Sequence, residues 1–229
     1  MNRFEVPKAI IFDLDGTLID TAPEFIRIIM HMRENARLPA IDPQEILAVV
    51  SDGAVGMIQA GFDISADDDR FETLRQQFLV AYARTLGQYS HPYAGLTELI
   101  KQCGERRIHW GVVTNKMRQF AEPLMQKMAL NPQMGCLITP CDVQHPKPDP
   151  TGILMCCEAL SVAPEHAVYI GDHLRDIEAG IRAGCRTVAA AYGYVNPSDD
   201  IESWGADHIV FNSTELEPLL LEPALGAAS

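Results

Sequence analysis

Six short runs of apolar, largely β-branched residues punctuate the chain, at Ala9 to Phe12, Trp110 to Val113, Cys136 to Thr139, Ala167 to Ile170, Thr187 to Ala191 and His208 to Phe211. Between most of them apolar residues recur at helical spacing, over Leu96 to Cys103, Gln119 to Met128, Thr151 to Leu160 and Asp176 to Ala183. Strands that alternate with helices build a parallel sheet, because a crossover long enough to hold a helix brings the chain back in the same direction. The last of these helices runs into Gly184, a suitable C-cap.

One interval breaks the alternation. From Thr21 to about Tyr89 no strand pattern occurs, and two segments carry helix starts: Thr21-Ala22-Pro23-Glu24 and Asp42-Pro43-Gln44-Glu45. Each places a capping residue first, a proline at a tolerated early position and a glutamate three residues after the cap. A third start at Asp67-Asp68-Asp69 leads into Phe71, Leu74, Phe78 and Tyr82. The interval reads as an all-helical insertion, with the α/β body resuming near His91-Pro92-Tyr93.

At 229 residues, 47% of them hydrophobic, the chain can bury a sizeable core as one large domain or two unequal ones. Its formal charge of −13 argues against nucleic acid and anionic membrane as partners, since both repel a surface of their own sign. The opening MNRFEVPKAIIFD turns acidic before a signal-peptide core could form, and no apolar run reaches the roughly 18 residues of a membrane span, so a cytoplasmic protein is expected. The six cysteines are scattered and suit reduced, mostly buried thiols; Cys136, Cys141 and His145 lack the CxxC pairing of a structural metal site.

Reactive residue types collect where the apolar runs end. IIFDLDGTLID places Asp13 and Asp15 after the first strand, WGVV is followed by Thr114 and Asn115, CLIT leads through a loop to Lys147 in HPKPDP, and VYIG is followed by Asp172, with Asp176 four residues on. In open α/β sheets the carboxyl ends of the strands are where ligands gather. Singly, each residue has a plainer reading: Asp20 and Thr21 as helix caps, Thr114 and Asn115 as turn residues, Lys147 as a solvated loop lysine, Asp176 as a charge favoured by a helix dipole. Together they describe a phosphate site. Asp13, Asp172 and Asp176 around Mg²⁺, with Lys147, form a charge-balanced cluster of the oxygen ligands a hard cation prefers. Asp15, crowded by negative neighbours, would retain a proton and act as an acid.

DLDGTLID, VVTN, the lysine of HPKPDP and GDHLRD resemble, in order and place, the four motifs of the haloacid dehalogenase superfamily of phosphatases. The resemblance implies a Rossmann-like parallel sheet core with helices on both faces, residues 1–19 and 90–229, and an inserted all-helical cap, residues 20–89, of the type called C1. It implies Asp13 as nucleophile, Asp15 as general acid and base, Thr114 with Asn115 and Lys147 at the phosphate, and Asp176 in support. Mg²⁺ would be held by Asp13, Asp172 and the backbone carbonyl of Asp15. The second aspartate separates ester hydrolysis, which must protonate an alkoxide, from dehalogenation. TAPEFI, VVSDGA, VVTNK, FAEPLM, HLRDIEAG, YGY and WGAD are similar to segments of bacterial N-acetylmuramic acid 6-phosphate phosphatases of peptidoglycan recycling. The implied substrate is that sugar phosphate, with 2-phosphoglycolate as the alternative. His173 departs from the small or acidic residue many relatives carry.

Selectivity is expected in VVSDGAVGM, where Ser51 and Asp52 offer hydrogen bonds and Gly53 and Gly56 permit close approach, unless the segment is an ordinary interhelical turn. Tyr192 and Tyr194 read as padding at the core edge. The expected partner is a small phosphate ester, and the expected state a monomer or homodimer. Two other classes remain: a phospho-accepting receiver, which would keep a long-lived acyl phosphate, and a catalytically inactive binding protein, which would hydrolyse no phosphate ester.

Overall fold

The strand β1 (Ala9–Phe12) is apolar at every position and is buried on both faces. A strand of that kind needs cover on each side, which a parallel sheet with crossover helices supplies. The computed structural model describes residues 5–130, 134–196 and 198–222. Within them β1 pairs in parallel with β4 (His109–Val113) on one side and β6 (Ala167–Gly171) on the other. The sheet extends through β5 (Cys136–Ile138) at one edge and through β7 (Arg186–Ala190) and β8 (His208–Val210) at the other, in the order β5-β4-β1-β6-β7-β8.

Alternation along β1 divides the core. Ile10 and Phe12 pack with Trp110, Val112, Val168 and Ile170 against α5 (Leu96–Arg106), α6 (Arg118–Lys127) and α9 (Leu216–Leu221). Ala9 and Ile11 pack with Tyr169 against α7 (Thr151–Ala159) and α8 (Leu174–Ala183). Cys103, Cys156, Cys157 and Cys185 are buried free thiols, while Cys141 is exposed. Among the described residues no helix is long and apolar enough to cross a membrane.

Strand ends shift by a residue or two from expectation, for local reasons. β5 stops at Ile138 because Thr139 turns its N–H and hydroxyl to Asp142, both at 2.8 Å. β8 stops at Val210, and Phe211 is 70% exposed. α8 begins two residues before Asp176: His173 Nδ1 accepts from Arg175 N at 3.2 Å and Asp176 Oδ2 accepts from His173 N at 3.1 Å, a capping box.

Between β1 and α5 the chain forms α1 (Ala22–Asn35), α2 (Pro43–Leu47), a 3₁₀ turn at Val50–Asp52, α3 (Gly53–Phe62) and α4 (Phe71–Thr85). A two-stranded antiparallel ribbon, β2 (Ile19–Asp20) with β3 (His91–Pro92), ties the entry of this helical stretch to its exit. So short a ribbon leaves no periodic signal in the sequence. Phe25 of α1 and Tyr82 of α4 lie 4.9 Å apart between centroids, and Tyr82 meets Phe120 of α6 at 5.1 Å, joining the helices to the sheet body.

The two capping boxes expected here fare differently. At α2 the box forms, Asp42 Oδ1 accepting from Gln44 N at 2.9 Å with Glu45 reaching back to Asp42 N. At α1 it does not: Thr21 is the N-cap residue, but neither it nor Asp20 caps the helix with its side chain. The Tyr194 hydroxyl does so instead, accepting from Thr21 N at 2.5 Å and Ala22 N at 2.8 Å while donating to Asp20 Oδ1 at 2.8 Å. Glu24, fully buried, accepts from Gly87 N at 2.9 Å and Ser90 Oγ at 2.6 Å, where the helical stretch ends. Long-range partners have displaced the local box. Glu24→Ala therefore strands a buried hydroxyl and a half-buried backbone N–H and is expected to lower stability by about 1–3 kcal/mol, read as a lower urea midpoint at unchanged m-value.

Candidate active site

The tips of β1, β4 and β6 lie side by side, and a polar residue follows each apolar run at once: Asp13 after Phe12, Thr114 after Val113, Asp172 after Gly171. Asp176 joins them from the first turn of α8, and Lys147 from the loop after β5. Lys147 is no solvated loop residue; it is 5% exposed. Its Nζ lies 2.7 Å from Asp13 Oδ1 and 2.6 Å from Asp176 Oδ1, and donates to the Val113 carbonyl and the Tyr169 hydroxyl, both at 2.9 Å. The contact with Asp13 is an ion pair rather than a directed hydrogen bond. Burial opposes the ammonium charge, but Asp13 and Asp176 outweigh it and raise the lysine pKa.

Asn115 holds that lysine in place, donating through Nδ2 to the Lys147 carbonyl and accepting through Oδ1 from Lys147 N, each at 3.1 Å. It is thus a long-range clamp rather than a plain turn residue. Thr114 does make a turn bond, its Oγ1 accepting from Lys116 N at 3.1 Å.

Oxygens of Asp13, Asp172 and Asp176 all lie within 4.8 Å of one another, and all three residues are buried. One ammonium does not balance three carboxylates. Asp172 registers the deficit: burial first, then Asp13 and Asp176, push its carboxyl up to about 8. It remains so although Thr17 Oγ1 donates to its Oδ1 at 2.9 Å and Tyr194 N to its Oδ2 at 2.8 Å, both favouring the ionised form. A buried set of hard oxygen donors short of positive charge fits a hard divalent cation. Among the described residues it is the grouping of acidic, histidine or cysteine side chains that can hold a metal; Cys136, Cys141 and His145 do not form one.

Asp15 stands outside the cluster. Lys116 Nζ lies 3.0 and 3.2 Å from its two carboxylate oxygens, and Thr21 Oγ1 donates to Oδ1 at 2.7 Å. The negative crowding expected around Asp15 falls on Asp172 instead, because the Asp15 side chain leaves the sheet edge toward α1. Nothing in residue type alone distinguishes Lys116 from a solvated lysine. Its side chain is 7% exposed, and Nζ sits 5.0 Å from the Phe25 ring centroid and 4.6 Å from that of Tyr82. Burial opposes its charge, yet the Asp15 carboxylate restores it and raises the pKa. VVTNK held the signal, a cation two residues past Thr114.

The backbone around the cluster leaves no room for side chains. Gly16, at φ +79°, would place a Cβ 2.1 Å from Asp172 Oδ2, and a Cβ on Gly193 would lie 2.3 Å from the Gly16 carbonyl oxygen. Tyr194 is more than padding, since it touches Asp172, Asp20 and the start of α1, and its carbonyl accepts from Ser51 Oγ at 3.3 Å. Tyr192 donates to the Thr17 carbonyl at 2.9 Å.

Ser51 and Asp52 lie in the 3₁₀ turn and Gly53 opens α3, so VVSDGAVGM does form an interhelical turn. Gly53 is required by its φ of +66° and has open space around it; close approach is found at Gly56, whose Cβ would lie 2.5 Å from Asp52 Cβ. All three residues, with Asp13, Asp15 and Thr114, line a cleft of about 860 Å³ between the helical stretch and the strand tips. A second groove of about 870 Å³, on the outer side of α1 around Leu38 and Tyr89, lies away from the acidic cluster.

Residues 10–190 match the family described as haloacid dehalogenase-like hydrolase. The chain is 45% identical over 213 residues to an N-acetylmuramic acid 6-phosphate phosphatase of Pseudomonas aeruginosa, covering 93% of this chain and 94% of that protein. It is 34% identical to a phosphoglycolate phosphatase of Xanthomonas campestris pv. campestris, covering 95% and 96%. The crystal structure of a predicted phosphoglycolate phosphatase from Haemophilus somnus superposes with a TM-score of 0.81 at 24% identity, over 93% of this chain and 97% of that one.

The raised carboxyl of Asp172 fixes a pH dependence. The folded protein keeps a proton there that the unfolded chain has lost, so this group's contribution to stability falls as pH rises from the ordinary aspartate range through about 8. Metal-free protein is expected to melt lower at about pH 8 than at about pH 6 on this account. Because a divalent cation competes with that proton, millimolar Mg²⁺ should raise Tm more at the higher pH, and Asp172→Asn should remove the difference, as thermal melts would record.

Proposed function

This chain belongs to the haloacid dehalogenase-like hydrolases, and from that membership we propose that it is a Mg²⁺-dependent phosphomonoesterase working through an aspartyl phosphate. One observation carries the reading: Lys147 sits within ion-pair distance of Asp13 and Asp176, beside Asp172, in a cluster one cation short of balance. Asp13, Asp172 and the Asp15 carbonyl would hold the Mg²⁺, which when bound offsets phosphoryl charge. A carboxylate of Asp13 attacks phosphorus in line, an O–P bond forms to Asp13, and the ester O–P bond breaks. Asp15, paired with Lys116 as a carboxylate, takes up a proton from water as the phosphate ester enters the cleft and passes it to the departing alkoxide; water then attacks the acyl phosphate, returning a proton to Asp15 and releasing phosphate. Lys116 and Thr21, bonded to Asp15, orient that carboxyl toward the cleft. Lys147, Thr114 and nearby backbone N–H groups stabilise charge on the phosphoryl oxygens, the larger part of the rate enhancement, while proton transfer contributes about 10²–10⁴-fold.

Residues 20–89 act as a cap over the strand tips and select the leaving group, with Ser51, Asp52 and Gly53 on the cleft wall. The substrate is N-acetylmuramic acid 6-phosphate, a reading supported by the 45% identical relative of that activity. The second reading, 2-phosphoglycolate, is supported by the more distant relative of that name.

The two esters assayed side by side at equal Mg²⁺ test the substrate: a clear preference for the sugar phosphate is expected, and comparable weak rates on both would remove it. Asp13→Asn is expected to lose all turnover on either ester while keeping its circular dichroism spectrum and melting transition. Near-normal hydrolysis by that variant would displace Asp13 as nucleophile.

A further inference from the structure

The cleft is lined by four acids, Asp13, Asp15, Asp52 and Asp172, and by three cations, Arg75, Lys116 and Arg175. Two of the cations are already occupied. Lys116 is paired with Asp15, and Arg75 holds Glu72 in a two-bond fork, Nε to Oε2 and NH2 to Oε1, both at 2.8 Å. Arg175 is different. Its side chain makes one hydrogen bond among the described residues, from NH2 to the Ser51 carbonyl at 2.8 Å, and no ion pair. It stands on the first turn of α8, three residues after Asp172, and its backbone N–H is fixed by His173.

We propose that Arg175 is a specificity-determining residue that binds a carboxylate on the substrate's leaving group. The inference rests on the phosphomonoesterase reading above and deepens it. Both candidate esters carry a carboxylate besides the phosphate, and its charge needs a cation in the cleft that is not already paired. A guanidinium presents five N–H donors in a planar fork that matches a carboxylate in two parallel bonds. With one donor given to Ser51, the fork of Arg175 keeps a free edge toward the cleft. The anchoring carbonyl belongs to the turn before α3, so a bound carboxylate is held at the seam between α8 and the helical stretch. Lys116 serves this purpose less well, being enclosed by Phe25 and Tyr82 and already neutralised.

The test compares each ester with an analogue in which the carboxylate is replaced by a neutral group: N-acetylmuramic acid 6-phosphate against its lactyl methylamide, and 2-phosphoglycolate against ethyl phosphate. The quantity read is the ratio of kcat/KM within each pair, for wild type, Arg175→Gln and Arg175→Lys. Wild type is expected to favour the carboxylated member of at least one pair. Arg175→Gln should cut that ratio roughly 10–100-fold, the worth of a charge-assisted hydrogen bond, mostly through KM, and Arg175→Lys should recover part of it. A wild type indifferent to the carboxylate in both pairs overturns the proposal. So does an Arg175→Gln variant that slows both members of a pair equally, since a merely structural arginine would act that way. Absence of Mg²⁺-dependent hydrolysis of p-nitrophenyl phosphate by the wild type is a separate result; it would remove the phosphatase reading and this inference with it.

Discussion

Three buried carboxylates share one buried ammonium at the tips of the central strands, and the rest of the architecture answers to that imbalance. Removing charged groups from water costs several kcal/mol each unless partners replace the lost hydration. Lys147 meets Asp13 and Asp176 directly, Thr17 and Tyr194 donate to Asp172, and the residual deficit surfaces as the raised Asp172 carboxyl. A cluster left so far from neutrality is poised to take up a divalent cation.

Rigidity follows from the same need. Asn115 clamps the Lys147 backbone, His173 and Asp176 lock the first turn of α8, and Gly16 and Gly193 let the backbone close on Asp172. Asp176 therefore has two tasks, capping a helix with Oδ2 and pairing with Lys147 through Oδ1. The two contacts are compatible because a carboxylate has two oxygens. Tyr194 extends the network outward: its backbone N–H serves Asp172 while its hydroxyl caps α1, so the cluster and the entry to the helical stretch are tied by one residue. Opposite it, Lys116 ties Asp15 to the aromatic contact between α1, α4 and α6.

Much of this was legible in the chain. Each central strand declares itself by an unbroken apolar run, and in a parallel sheet a polar residue ending such a run falls at the carboxyl edge, so Asp13, Thr114 and Asp172 are placed at one edge by strand periodicity, and the pairing of β1 with β4 and β6 sets them side by side. The helical stretch was equally open to reading, through proline and acid placement at helix starts. What escaped were partners that no motif marks. Thr21 and Glu24 have the pattern of a capping box, but Tyr194 and Ser90 outcompete the local bonds. Lys116 looks like any loop lysine until Phe25 and Tyr82 enclose it.

The sequence by itself determined the alternating order of strands and helices, and with it which acids stand at the strand tips, because side-chain periodicity and backbone hydrogen bonding are local. Tertiary structure alone decided which of those acids would crowd together and which would find a cation. The ionisation of a carboxylate depends on charges and water within a few ångströms, and those neighbours come from 101 residues away for Asp15 and 155 residues away for Asp172.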